Sequence, residues 1–138
     1  MKAFEEYLDN GDVKQQPIDK NLAKSLIEQA VRRLARADGQ KIDEESCDFV
    51  LEDYYEAMRM LADAQLALHG YKSLSHEATI AYIEKDKDFT PTFIVGFDRL
   101  RKLRHGIKYY GKRVTIADAK EAQQLAKILF LKLKPKLI

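Results

Sequence analysis

The sequence predicts an all-α domain, an antiparallel four-helix up-and-down bundle with short additional helices. Three observations carry that expectation. Apolar residues recur every three or four positions over several long segments. These segments open at recognisable capping residues and close at or near a glycine or proline. Six Gly and three Pro in 138 residues leave little material for the many tight turns of an all-β fold, and no segment alternates as a half-buried strand does. The length predicts one domain over residues 1–138, with a core at about 19–133 and an N-terminal extension and linker over 1–18.

In chain order, residues 3–9 predict a short helix and "GDVKQQP" reads as a linker. Asp19 is a candidate N-cap, followed by Leu22, Leu26, Ala30 and Leu34 at helical spacing; this helix runs to about Ala37 and stops at Gly39. Asp43 opens the longest helix, acidic in its first turn and apolar every three or four residues, with Gly70 at its end. Tyr54, Tyr55 and Met58 on it read as core or interface residues. After "YKSL", Ser75 caps a short helix, "HEATIAYIEK", which "DKDF" breaks. Thr90 with Pro91 is a strong helix start, because proline loses nothing at the first helical position; that helix should end near Gly111. Thr115 and Asp118 resemble a capping box for the last helix, which continues to about Leu133 and is stopped by Pro135.

Composition excludes several classes. No apolar run approaches the length of a membrane span, and "MKAFEEYLDN" lacks the basic-then-apolar order of a signal peptide, so no membrane partner is expected. A single cysteine, Cys47, excludes an internal disulfide framework and fits a reducing cytoplasm; it reads as a small buried residue rather than a nucleophile. No Gly-rich phosphate loop occurs. His69 and His76 flank a turn beside Glu77, but a metal needs a third ligand and closer convergence, so they read as capping or surface histidines. No metal or other cofactor is expected. The tail "LKLKPKLI" reads as an oligomer contact or a fraying end.

The net charge of +2 hides an asymmetry. Residues 99–113, "RLRKLRHGIKYYGKR", hold seven of the 24 Lys and Arg and none of the 22 acids, so the rest of the chain is net acidic. On a helical wheel at ~100° per residue, Phe93, Phe97, Leu100, Leu103, Ile107 and Tyr110 share one arc, which is the predicted core face. Asp98, Arg101, His105 and Tyr109 lie opposite, with Arg101 and His105 one turn apart; Arg99 projects roughly 120° from His105. Arg104 falls on the apolar arc and either snorkels to its edge or is buried and paired. A mixed-sign solvated face is the ordinary composition of a surface helix, and acids at i±4 would support it. Seven cations without an acid point instead to an anionic partner, phosphate above all, with Lys102, Arg104, Lys108, Lys112 and Arg113 as contacts and Tyr109 as a stacking surface.

Arg99, five residues (Leu100 to Arg104), then His105 match the Arg-to-His spacing of HEPN domains. The stretches "YYEAMRMLADAQLALHGYKSLSHEATIAYI" and "LRKLRHGIKYYG" also resemble small archaeal HEPN proteins, and the resemblance spans roughly residues 19–133. It implies metal-independent RNA cleavage by a homodimer whose motif helices pack together, often as the toxin of a pair with a nucleotidyltransferase-like antitoxin. His105 would move a proton at the 2′-hydroxyl or the leaving 5′-oxygen, since imidazole titrates near neutral pH. An arginine would hold the scissile phosphate and stabilise its transition-state charge. Arg99 takes that role by motif spacing and Arg101 by helical geometry within one chain, while Arg104 qualifies if buried. Active members place a polar residue after the motif Arg, where this chain has Leu100. The alternative is therefore a non-catalytic module binding RNA, nucleotide or a protein through the basic helix. A third is a structural bundle whose basic helix is neutralised by acids such as Asp98, Glu52 or Asp53.

Overall fold

The computed structural model describes residues 1–137. It is mostly helical, with α1 (Phe4–Asp9), α2 (Lys20–Asp38), α3 (Cys47–Leu68), α4 (His76–Glu84), α5 (Pro91–Tyr110), α6 (Ile116–Leu133) and a 3-10 turn at Lys134–Lys136. Two short strands, β1 (Val13–Gln15) and β2 (Tyr71–Ser73), pair antiparallel in the register Val13↔Ser73 and Gln15↔Tyr71.

Local chemistry sets most helix ends. The Asp19 carboxylate accepts the Leu22 N–H at 2.9 Å, Ser75 Oγ accepts that of Ala78, and Thr90 Oγ1 accepts that of Phe93. Thr115 and Asp118 form a reciprocal capping box, each side chain accepting the other's backbone N–H. Gly111 ends α5 at φ +60°, a left-handed conformation that costs a glycine nothing.

Two expectations are corrected. The long helix begins at Cys47 rather than Asp43, because the Asp43 carboxylate accepts the N–H groups of Glu45 and Ser46 and closes a separate turn before it. The segment read as a linker contains β1. Its partner strand follows Gly70, whose φ of +82° turns the chain back after α3 and whose carbonyl accepts the Gln16 N–H at 2.9 Å.

α3 is the central helix, in contact with α2, α4, α5 and α6. Val50, Leu51, Tyr54, Tyr55, Ala57, Met58, Leu61 and Ala62 on it are all fully buried, so its middle is covered on almost every side. Buried Tyr54 keeps its hydroxyl satisfied by donating to Asp38 and accepting from Gln123 Nε2. Cys47 is buried. From α5, Phe93, Phe97 and Leu100 enter this core, whereas Leu103 and Ile107 are only partly covered. Tyr110, expected on the core face, is 70% exposed, because the last turn of α5 runs past the neighbouring helices. A second cluster under the strands joins Phe4, Tyr7 and Val13 to Leu66, Ala78 and Ala81. No described helix is long and apolar enough to cross a membrane.

Candidate functional site

The arginines of α5 leave the helix in three directions. Arg99 reaches α6, where its guanidinium donates to Asp118 Oδ1 at 2.6 Å and to the Glu121 carboxylate. The hydrogen bond to Asp118 raises the Arg99 pKa. Asp118 also starts α6 through the capping box, so this arginine joins two helices.

Arg101 turns towards α4. Its Nε donates to Asp98 Oδ1 at 2.8 Å, and Nη1 lies 3.6 Å from Glu77 Oε1. Arg104 lies against α3, with Nη2 3.3 Å from Glu56 Oε1 and its guanidinium 5.9 Å from the centre of the Tyr55 ring. Its side chain is 12% exposed, so of the two expectations for Arg104 the buried, paired one holds. Arg113, beyond the helix, is bound to the Asp48 carboxylate and the Glu44 carbonyl at the start of α3. Lys102 is tied only loosely, 3.5 Å from Asp98 Oδ2.

The remaining members gather at the end of α5. His105 is exposed, and its ring centre lies 4.7 Å from that of Tyr109 and 5.7 Å from that of Tyr110. Lys108 Nζ sits over the Tyr109 ring at 5.7 Å, and Lys112 Nζ over Tyr110 at 6.0 Å. The Lys112 N–H closes onto the Gly106 carbonyl, and its aliphatic stem lies beside Gly106. Among the described residues, none of His105, Lys108 and Lys112 has an ion-pair partner. The negative end of the helix dipole makes this a favourable place for cations, and exposed aromatic faces separate them. Arg99 and His105 are therefore not brought together within one chain. Arg101 is on the same side as His105, one turn earlier, with two carboxylates on it.

One polar group escaped the sequence reading. His76, expected at the surface or as a cap, is half-buried at the start of α4, where its Nδ1 shares a hydrogen bond of 3.0 Å with the Tyr55 hydroxyl of α3. Burial, reinforced by the cations of Arg59, Arg104 and Arg101, pushes His76 down to about 4, so it is neutral at neutral pH. Burial also raises the Tyr55 pKa, keeping its proton on the hydroxyl. Beside them Arg59 bridges Glu56 at 2.8 Å and Asp63 at 2.7 Å, and Thr79 Oγ1 donates to Asp63 at 2.9 Å. Burial raises the Asp63 pKa against the pull of Arg59. The layer holds α4 and α5 against α3. Its signal was present in the sequence as Glu56, Arg59 and Asp63, acid–base–acid on one face of an apolar helix.

No protein-family model matches the chain, and none of the curated proteins matches it significantly.

Proposed function

We propose that the protein is a HEPN-like helical domain that binds RNA through the end of α5. Four long helices, α2, α3, α5 and α6, with α3 touching the other three, support the antiparallel four-helix bundle of that resemblance. One observation carries the binding reading: among the described residues, His105, Lys108 and Lys112 stand without acidic partners beside two exposed tyrosines. Phosphates meet the two ammonium groups, and Tyr109 and Tyr110, 58% and 70% exposed, offer ring faces to unstacked bases. The internally paired arginines then serve the fold and shape the ground beneath this surface. Such a partner, with the single cysteine, fits a cytoplasmic protein.

A second reading is metal-independent endoribonuclease, as the toxin of a pair with a nucleotidyltransferase-like antitoxin. It is favoured by the exposure of His105, which no carboxylate of the described residues pairs, one turn from Arg101. His105 takes the 2′-hydroxyl proton as that oxygen attacks phosphorus. The bond to the 5′-oxygen breaks, a proton passes to that oxygen, and a 2′,3′-cyclic phosphate remains. Arg101, or Arg99 released from α6, supports the phosphorane charge, and a second copy packing its α5 alongside completes the set in a homodimer.

The test is incubation of labelled single-stranded and structured RNA with the protein in EDTA, beside His105→Ala, with binding followed in parallel. Binding without cleavage supports the module. Cyclic-phosphate ends that vanish in the variant support the nuclease. Neither binding nor cleavage would overturn both.

A further inference from the structure

A second basic region lies on α2, away from the stretch that the sequence singled out. Arg33 and Arg36, with Gln40, converge on the buried carboxylate of Asp53 from α3. Arg36 donates to it through Nε at 3.1 Å and through Nη2, Arg33 Nη1 lies 3.5 Å away, and Gln40 Nε2 donates at 2.9 Å. One carboxylate thus holds two guanidinium groups in place and neutralises one of them. Arg32, exposed on the same helix, has no ion-pair partner among the described residues. An ion pair that only pins α2 to α3 needs one cation, and here two share one acid.

Arg33, Arg36 and Gln40, together with Glu52 and Glu56, line an open groove of about 360 Å³ between α2 and α3, and Arg32 joins the two arginines around an adjoining hollow of about 270 Å³. Phe49 stands in the groove wall, 64% exposed. Its ring joins no aromatic pair or core cluster among the described residues. The wall on α3 also carries two acids: Glu56 is bonded to Arg104 and Arg59, whereas Glu52 is within electrostatic reach of Asp53 and Asp48 as well as of Arg104 and Lys108.

We propose that this groove is a second subsite for single-stranded RNA, in which Arg32, Arg33 and Arg36 take backbone phosphates and Phe49 stacks on a base. Asp53 preorganises the donors: Arg36 spends two of its five N–H groups on it and Arg33 stands at ion-pair distance, leaving the others for phosphate oxygens. An exposed ring in one groove with fixed cations is a combination that binds unpaired strands without sequence preference. The subsite extends the α5 surface and rests on the reading of that surface as RNA-binding, but not on catalysis by His105. A strand long enough to reach both would run from the end of α5 across α3 to α2.

The experiment is a fluorescence-anisotropy titration of a labelled 20-nucleotide oligouridine with the full chain, with Phe49→Ala, with Arg32→Ala, and with Lys108→Ala/Lys112→Ala. Phe49 and Arg32 are exposed, so their variants should keep the native circular dichroism. Self-association of each protein is followed by sedimentation. The subsite predicts affinity about five-fold or more weaker for Phe49→Ala. For Arg32→Ala it predicts a salt slope about 0.7 shallower, one phosphate fewer. Native affinity in both, with loss in the lysine variant, would overturn the subsite and leave the α5 reading standing. Loss in both with a native lysine variant would make the groove the primary site and overturn the α5 reading instead. No binding by the native chain would overturn the two together. A change in self-association with unchanged RNA affinity would show the groove to be an interface between copies.

Discussion

Arg99 and His105, six residues apart on α5, belong to different surroundings: the arginine is locked to Asp118 and Glu121 of α6, and the histidine lies in solvent among Tyr109 and Tyr110. A turn of 3.6 residues separates their directions by roughly 120°, and the partners on α6 enforce the separation. The basic stretch is thereby divided between arginines paired across the fold and a smaller group without ion-pair partners among the described residues.

The first consequence concerns Arg99. Arg99→Ala should lower stability by about 0.5–1 kcal/mol, since the pairs are half-exposed, and leave RNA affinity within two-fold or so. Asp118→Ala should cost about 1 kcal/mol for the lost cap in addition to the Arg99 partner. Urea denaturation of the two variants reads both.

Arg104 should behave differently. Removing it leaves Glu56 with Arg59 alone and bares the Tyr55 ring, so Arg104→Ala should destabilise by about 2 kcal/mol, less than a fully orphaned buried charge would cost. Arg104→Lys restores the charge without the planar contact and should recover only part of that loss. The readout is the denaturation midpoint at unchanged slope.

His76 ties stability to pH. Its folded pKa, about 4, lies below the ordinary 6.5, because burial and then the cations of Arg59, Arg104 and Arg101 oppose its charge. The unfolded chain therefore takes up the proton first as pH falls. The stabilisation is complete above about pH 6.5 and is lost as pH drops towards 4. With half the group in solvent, the effect should be ~1–2 kcal/mol. His76→Gln keeps a hydrogen-bonding group for the Tyr55 hydroxyl and cannot titrate. Its stability should fall less than that of the native chain between pH 6.5 and 4.5, and an equal fall would exclude His76 as the cause.

For the binding reading, His105→Ala should leave RNA affinity within about two-fold, whereas Tyr109→Ala should weaken it about five-fold or more through lost stacking. A large loss of affinity in His105→Ala alone would place the imidazole in direct contact with the strand.

Helix ends were legible in the sequence because capping is local. Asp19, Ser75, Thr90 with Pro91, and Thr115 with Asp118 act on backbone groups three residues away, and each does so in the fold. The β1–β2 pair was not legible, because three residues per strand show no period and their partners are some sixty positions apart. Tyr110 fits the apolar arc of its wheel, but a wheel does not show where the neighbouring helices stop. The exposed cluster at the end of α5 was visible as composition. Its separation from the arginines was not, since Glu121, Glu77 and Glu56 lie on three other helices and only the tertiary fold brings them to Arg99, Arg101 and Arg104. The arginines of α2 were missed because only Asp53 and Phe49, from another helix, make them a groove.

The most direct measurement is the salt dependence of single-stranded RNA affinity for the native chain and Lys108→Ala/Lys112→Ala, from about 50 to 200 mM salt. If each lysine meets a phosphate, the double variant binds more weakly and its log–log slope is shallower by about 1.4. Equal affinity and equal slope in the two proteins would contradict the assignment of the RNA surface to the end of α5.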